Sequence, residues 1–539
     1  MILTPEQLDG IAAGRCTPAA AVLLRDFQLA KRKLLMWRLM AGAGGDPAMD
    51  LLIRADAASP ATTADVLRHP YLDAWATHTL NAGGDLGYLG QFAAAAAVRA
   101  GLTFSVEVPV THGGVYLPTL GEARVGGATT TVRRLADGDT LVGPVRLGGA
   151  GWADARRAEL EPGFGVSIED QEPYRDTYDF RPAGRLDAAT AERLTGLLRE
   201  AWQILLRRHP DHAAAIRIML RTVVPLAARP TAGGISAASR QASGSIAFAV
   251  PDTAEELCLL ILHEFRHMQL DAVRDLTDLH DRESAGRFMA PWRMDPRPAP
   301  ALLQGIFAHA GVAEYWRQRR DEPGAPAITA IEYAYWRRQS RIALDALAGS
   351  GELTEVGERF TTVLRETLDS WPADDPPEVA AMVRAQTIRW RLRNWRPAPG
   401  EVDAVVKAWR DGRTPEGVGF SGVLRGDADG EPSGIPGIVG VIRRALAGAE
   451  IGDPADRLFL SGDRAGAAAL YATALDSDDD WVKFMLATGD PVVRQRPDLF
   501  RAVARELGAD PVRLAGWFGA CHLTAGRSGE TVAQNSRSI

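Results

Sequence analysis

The sequence predicts an α+β fold, predominantly α-helical, with a small β region set between helical stretches. Three observations predict it. Apolar residues recur at helical spacing over most of the first hundred residues and again beyond residue 186. Between residues 102 and 166 that period gives way to alternation and short β-branched runs punctuated by glycine. Residues 257–276 then run without a single Gly or Pro, after Pro251-Asp252-Thr253 and with Thr253 and Glu256 at capping-box spacing.

Taken in order, residues 4–100 read as helices whose buried faces carry Phe27, Leu29, Leu34, Leu35, Trp37 and Leu39, closing on the alanine-rich stretch 92–100. Strands are expected at 104–110, 129–132, 140–145 and 163–168. Residues 186–224 read as one long helical stretch with Leu194, Leu198, Trp202 and Leu205 on its core face. A small-residue loop at 233–243 and an edge strand at 244–251 lead into the 257–276 helix. The proline-fixed loop 292–300 precedes a second strong helix at 301–320. Further helices follow between breaks at 371–377 and 427–437. Segments 462–471 and 497–507 resemble the paired helices of one tetratricopeptide unit. The expected organisation is an N-terminal helical region (1–101), a β-rich region (102–180), a helical core (181–350), a C-terminal helical region (351–525) and a disordered tail (526–539).

Composition narrows the function. With 46% hydrophobic and 24% charged residues the 539-residue chain reads as a soluble globular protein of several domains. Its net charge is −7, and its basic residues are dispersed among acids, which argues against a nucleic-acid surface. Only Lys31, Lys33, Lys407 and Lys483 are lysines among 61 basic residues, a skew expected of a GC-rich coding sequence. Cys16, Cys258 and Cys521 lie far apart, so no disulfide framework, zinc ribbon or iron–sulfur site is indicated, and a reducing cytoplasm fits. The first residues lack a basic-then-apolar signal segment, and no run of eighteen apolar residues marks a membrane span.

The chemistry centres on His263-Glu264-Phe265-Arg266-His267. Two histidines four apart on a helix present both imidazoles on one face, ready for a single metal ion, with Glu264 beside it; this is a zincin-like metal helix. Two ligands do not complete a site. His309 is the first choice for a third, because Ala308, Ala310 and Gly311 around it permit close helix approach; Glu314, five residues on, is its rival. His280 reads as a surface residue, and the remaining histidines show no metal spacing. Arg240, Arg293 and Arg297 flank the motif in loops, and a guanidinium fork there suits a carboxylate ligand. On these residues alone the leading reading is a zinc metallopeptidase with Glu264 as general base.

A resemblance redirects that reading. Ser236-Ala-Ala-Ser239-Arg240, Gly244 with Pro251, the histidine motif, Ala290-Pro-Trp-Arg293-Met-Asp-Pro-Arg297-Pro and Leu302-Leu-Gln304-Gly305-Ile-Phe-Ala-His309 together resemble the H-E-x-x-H domain family associated with radical-SAM peptide maturases. His69-Pro70 with Trp75 and Leu117-Pro-Thr-Leu-Gly121 extend the likeness more weakly. Arg266 departs from the glutamine expected there, outside the ligand set. The resemblance implies an iron(II)- and 2-oxoglutarate-dependent peptide β-hydroxylase, a dioxygenase that consumes O2 and acts on a ribosomally made precursor peptide. It implies iron held by His263, His267 and His309, an arginine on the far carboxylate of 2-oxoglutarate, and a radical-SAM maturase as a partner. Glu314 stays open as a ligand, and Glu264 is expected to orient a ligand or water.

Overall fold

The structure, a computed structural model, describes residues 2–41, 46–227, 234–281, 285–414, 422–424 and 436–520. Two compact units divide the chain, Met1–Thr277 and Asp278–Ile539, and the division falls inside the 181–350 span read from sequence as one core. The chain as a whole is α+β with helices predominating, as its sequence predicts, and among the described residues all but two short strands lie in the first unit.

Among the described residues the first unit opens with α1 (Pro5–Ala12), α2 (Pro18–Met40), α3 (Pro47–Ala58), α4 (Pro60–Leu67), α5 (Tyr71–Ala82) and α6 (Leu89–Arg99). Local chemistry sets these starts. Thr4, Thr17 and Asp46 cap their helices by accepting backbone N–H bonds, each followed by proline where the missing N–H costs nothing. In α6 the alanines from Ala93 to Ala97 are fully buried, so the helix sits deep in the core. A Cβ on Gly90 would stand 3.0 Å from Val108 Cγ1, so glycine is what lets α6 approach the neighbouring strand.

Strands β1 (Phe104–Pro109), β2 (Gly114–Leu117), β3 (Gly121–Arg124), β4 (Thr129–Arg134), β5 (Thr140–Val142), β6 (Val145–Arg146), β7 (Trp152–Asp154), β8 (Arg156–Glu161) and β9 (Phe164–Ile168) follow. They are succeeded by α7 (Ala188–Arg208), α8 (Pro210–Met219), β10 (Thr222–Leu226), β11 (Ser236–Ala238), β12 (Ser245–Ala249) and α9 (Ala254–Arg274). β1-β4-β5-β6 and β2-β3-β7 form two antiparallel sheets. The third is mixed, in the order β11-β12-β10-β9-β8: β12 and β9 flank β10 in parallel, while β11 and β8 run antiparallel at its edges.

This sheet corrects two expectations. The 244–251 strand is not an edge: β12 lies between β10 and β11, because Ile246, Ala247 and Phe248 are fully buried and such an apolar run needs cover on both faces. The edge is β11, from the segment read as a loop. The 186–224 stretch is also not one helix. His209 leaves helical geometry (φ −134°, ψ 55°), Pro210 starts a new helix, and β-branched Thr222, Val223 and Val224 turn into the sheet.

The second unit, among its described residues, comprises α10 (Ala299–Arg320), α11 (Ile328–Leu347), α12 (Glu355–Asp369), α13 (Pro377–Asn394), β13 (Trp395–Arg396), α14 (Glu401–Arg410), β14 (Val423–Leu424), α15 (Gly437–Leu446), α16 (Pro454–Ser461), α17 (Arg464–Tyr471), α18 (Asp478–Thr488), α19 (Pro491–Gln495), α20 (Pro497–Leu507) and α21 (Pro511–Gly519). The two short strands pair antiparallel. α10 and α11 form the most extensive helix pair, in keeping with the small residues around position 309. α17 packs on α16 and α18, and α20 on α13, α14 and α21. The 526–539 tail, Cys521, residue 233 and most of the 427–437 break lie outside the described residues. Among the described residues no helix is long and apolar enough to cross a membrane.

Candidate metal centre

Helix α9 forms where its sequence signals place it. The Thr253 side chain accepts from the Glu256 N–H while the Glu256 carboxylate accepts from the Thr253 N–H, closing the expected capping box. Arg208 of α7 grips Glu255 through two bonds of 2.6 and 2.9 Å and ties down the first turn. Leu257, Ile261, Leu262, Phe265, Met268 and Val273 are buried, and the helix lies against β11 and β12. One stripe stays partly accessible, and it carries Leu260, His263, His267, Asp271 and Arg274 at spacings of three and four. Both motif histidines therefore stand on the open face of a helix otherwise enclosed.

Their ring centroids are 4.8 Å apart with planes at 86°. With metal–nitrogen bonds of about 2.0–2.1 Å, imidazoles this close suit one ion. Glu264 is buried beside them: it is 2% exposed, and its Oε1 accepts a 2.6 Å bond from the Ser236 hydroxyl on β11. Its Oε2 is buried without a hydrogen-bond partner among the described residues. Burial pushes the carboxyl above the usual carboxylate range, only partly offset by the charge of His267 and the Ser236 bond. His263 Nε2 lies 3.8 Å from Glu264 Oε1, beyond hydrogen-bond reach. Donor set and polar chemistry fit a divalent cation: two nitrogens for it, and a buried half-satisfied carboxylate beside them. Among the described residues no three His, Cys, Asp or Glu side chains gather as a ligand group.

Other expected site residues have their own surroundings. His309, on α10, is sandwiched between Trp292 (centroids 4.3 Å apart, planes at 15°) and Trp336 (4.6 Å, 28°). Its Nδ1 lies 2.8 Å from the Gly305 carbonyl, an acceptor, so Nδ1 carries the donated proton. Glu314 lies further along the same helix, partly buried. Arg293 Nε and Arg297 Nη1 each donate a 2.8 Å bond to Asp295, one to each carboxylate oxygen. Arg240, half-exposed, is held by Asp275, which also accepts from Gln28 and Lys31. His280 Nδ1 meets the Asp281 carbonyl.

Three partnerships were not legible in the sequence. Ser236 entered only through the resemblance, since nothing local to β11 announces a partner 28 residues on. Trp292 and Trp336 carry no spacing that pairs them with His309. His69, passed over for want of metal spacing, is buried with its Nε2 3.2 Å from both Glu169 Oε2 and Tyr116 Oη, partners too distant in the chain for any motif to link. Among known proteins, no family model matches this chain, and no curated protein matches it.

Proposed function

We propose that the chain is an iron(II)- and 2-oxoglutarate-dependent oxygenase that hydroxylates the β-carbon of a residue in a ribosomally made peptide, with His263, His267 and His309 as the iron ligands. The observation that carries metal dependence is the pair of nearly perpendicular imidazoles on the one accessible stripe of a buried helix. The choice of iron rests on the resemblance of segment 236–316 to the peptide β-hydroxylase family. When bound, iron with 2-oxoglutarate and O2 supplies the oxidising power for a C–H bond.

The residues divide the remaining work. His263 and His267 bind, and α9 fixes their spacing. The Nδ1 bond of His309 to a backbone carbonyl is the arrangement that orients ligating histidines elsewhere, and the flanking indoles hold its plane. Ser236 fixes Glu264, which as a buried carboxylate orients a ligand or water. Arg293 and Arg297 share one carboxylate, which leaves a positive charge for an incoming one; this favours them over Arg240 as the cosubstrate clamp. The β11 edge and α9 together suit a zincin-like cleft, the C-terminal helix pairs suit a tetratricopeptide-like docking region, and a cytoplasmic precursor peptide with a radical-SAM maturase are the partners this reading takes.

A zinc metallopeptidase is the second reading, favoured by the partnerless Oε2 of Glu264, the group a general base needs. Elemental analysis with succinate detection separates the two. The oxygenase reading expects iron, and succinate formed from 2-oxoglutarate under air; anaerobic iron(II) protein should also develop a weak visible charge-transfer band with 2-oxoglutarate. Bound zinc with no succinate and no band overturns it.

A further inference from the structure

The first unit forms a second polar site. A cavity of about 610 Å³ is lined by Arg99, Arg156, Arg157, Arg217 and Arg221, with Asp65 as the acidic residue among its lining side chains. It opens at the Thr222 end of β10 and is distinct from the histidine pair. Thr222 is in register with Ser245 at the start of β12, whereas Ser236, which holds Glu264, is in register with Phe248 near its end. In a chain of net charge −7 this concentration of guanidinium groups is a local reversal of sign.

Most of that charge is compensated locally. Arg156 is anchored by Asp170 at 2.6 Å and by the Leu186 carbonyl, and Arg217 by Glu161. Arg99 and Arg221 share the single carboxylate of Asp65. Arg157, half-exposed, comes only to 3.7 Å from Glu159. One positive charge, from the pair that shares Asp65, therefore lacks a counter-charge at the cavity, and Arg157 is only loosely paired with Glu159 across a half-exposed contact.

The wall carries further signs of a ligand. Thr119, whose φ of +70° belongs to the turn that Pro118 begins and the Leu120 N–H closes on the Leu117 carbonyl, presents a hydroxyl that accepts from Arg99. His69 and Thr222, both buried in the wall, keep Nδ1 and Oγ1 without hydrogen-bond partners among the described residues. The volume is that of a small-molecule site.

We propose that this cavity binds a small dianion whose charges sit on phosphoryl or carboxylate groups. Guanidinium forks take either group in bidentate fashion, and one uncompensated cation and one loosely paired cation match two anionic charges. The site does not depend on the metal reading, so it is tested on the full chain stripped of metal and then dialysed free of chelator. Titration calorimetry with inorganic phosphate, and separately with succinate, should show saturable one-to-one binding of at least one probe. That binding should weaken as ionic strength rises. Preference between the probes identifies the phosphoryl or the carboxylate source.

Arg157→Gln, a change at a half-exposed side chain only loosely paired with Glu159, should weaken binding about tenfold, the scale of one charge-assisted bond. Arg99→Gln should do the same or more, and His263→Ala should bind as the parent does. The proposal is overturned if neither probe binds, or if both arginine variants bind as the parent does. Binding of a tetraglutamate peptide where neither small probe binds also overturns it, in favour of a surface for acidic peptide.

Discussion

Gly305→Ala puts the ring stack around His309 to a test of sign. In an ordinary helix interior the change stabilises by about 1 kcal/mol, because alanine loses less conformational freedom than glycine. Here a methyl group at position 305 would stand 2.3 Å from Trp292 Cζ2 and 2.5 Å from both Cε2 and Nε1. Carbon contacts settle near ~3.5 Å, so the indole must retreat by about 1 Å. It cannot retreat freely, since its face lies 4.3 Å from the His309 ring, which is itself stacked on Trp336. Overpacking of this kind costs about 1–3 kcal/mol. Opening an aromatic stack costs about 0.5–1.5 kcal/mol more. The helix-propensity gain offsets part of this, leaving a net loss of about 1–3 kcal/mol, read as several degrees in Tm at about 2–4 °C per kcal/mol. The assay is thermal denaturation followed by near-ultraviolet circular dichroism, with the same substitution repeated in a Trp292→Ala background, where it should become stabilising. A Gly305→Ala protein that melts higher than the parent, with unchanged tryptophan signals, refutes the stack.

Four further expectations follow from the same geometry. Ser236→Ala removes the bond to buried Glu264 and should cost about 1.5–3 kcal/mol in urea denaturation; an unchanged midpoint would show that the bond contributes nothing. Burial raises the Asp275 carboxyl, but Lys31, Gln28 and Arg240 outweigh it and hold it below its ordinary 3.8. A depressed carboxylate adds stability above that value and loses it as pH falls through the folded pKa, so the cost of Asp275→Asn, about 1–3 kcal/mol at pH 7 with a half-exposed partner, should shrink below about pH 3.8; a pH-independent cost counts against it. His263→Ala and His267→Ala should each abolish iron loading by elemental analysis, as should His309→Ala, whereas loading kept in His309→Ala and lost in Glu314→Ala assigns the third position to the glutamate. Arg293→Ala or Arg297→Ala should raise the concentration of 2-oxoglutarate needed for succinate formation, and unchanged dependence in both turns attention to Arg240.

The sequence by itself determined what forms within a few turns of chain. Thr253 and Glu256 announced the start of α9, the absence of Gly and Pro carried it past His267, and four-residue spacing put both imidazoles on one stripe. Alternation gave β1, and prolines after Thr4, Thr17 and Asp46 gave helix starts. Tertiary structure alone decided that β12 is interior and β11 the edge, that Ser236 meets Glu264, that Trp292 and Trp336 enclose His309, and that five arginines spread from 99 to 221 share one cavity. The reason is physical. Caps, propensity and period act through bonds between residues three or four apart and leave a local imprint. Strand order and side-chain partnership are set by which distant surfaces bury one another, and no short window of sequence records that choice.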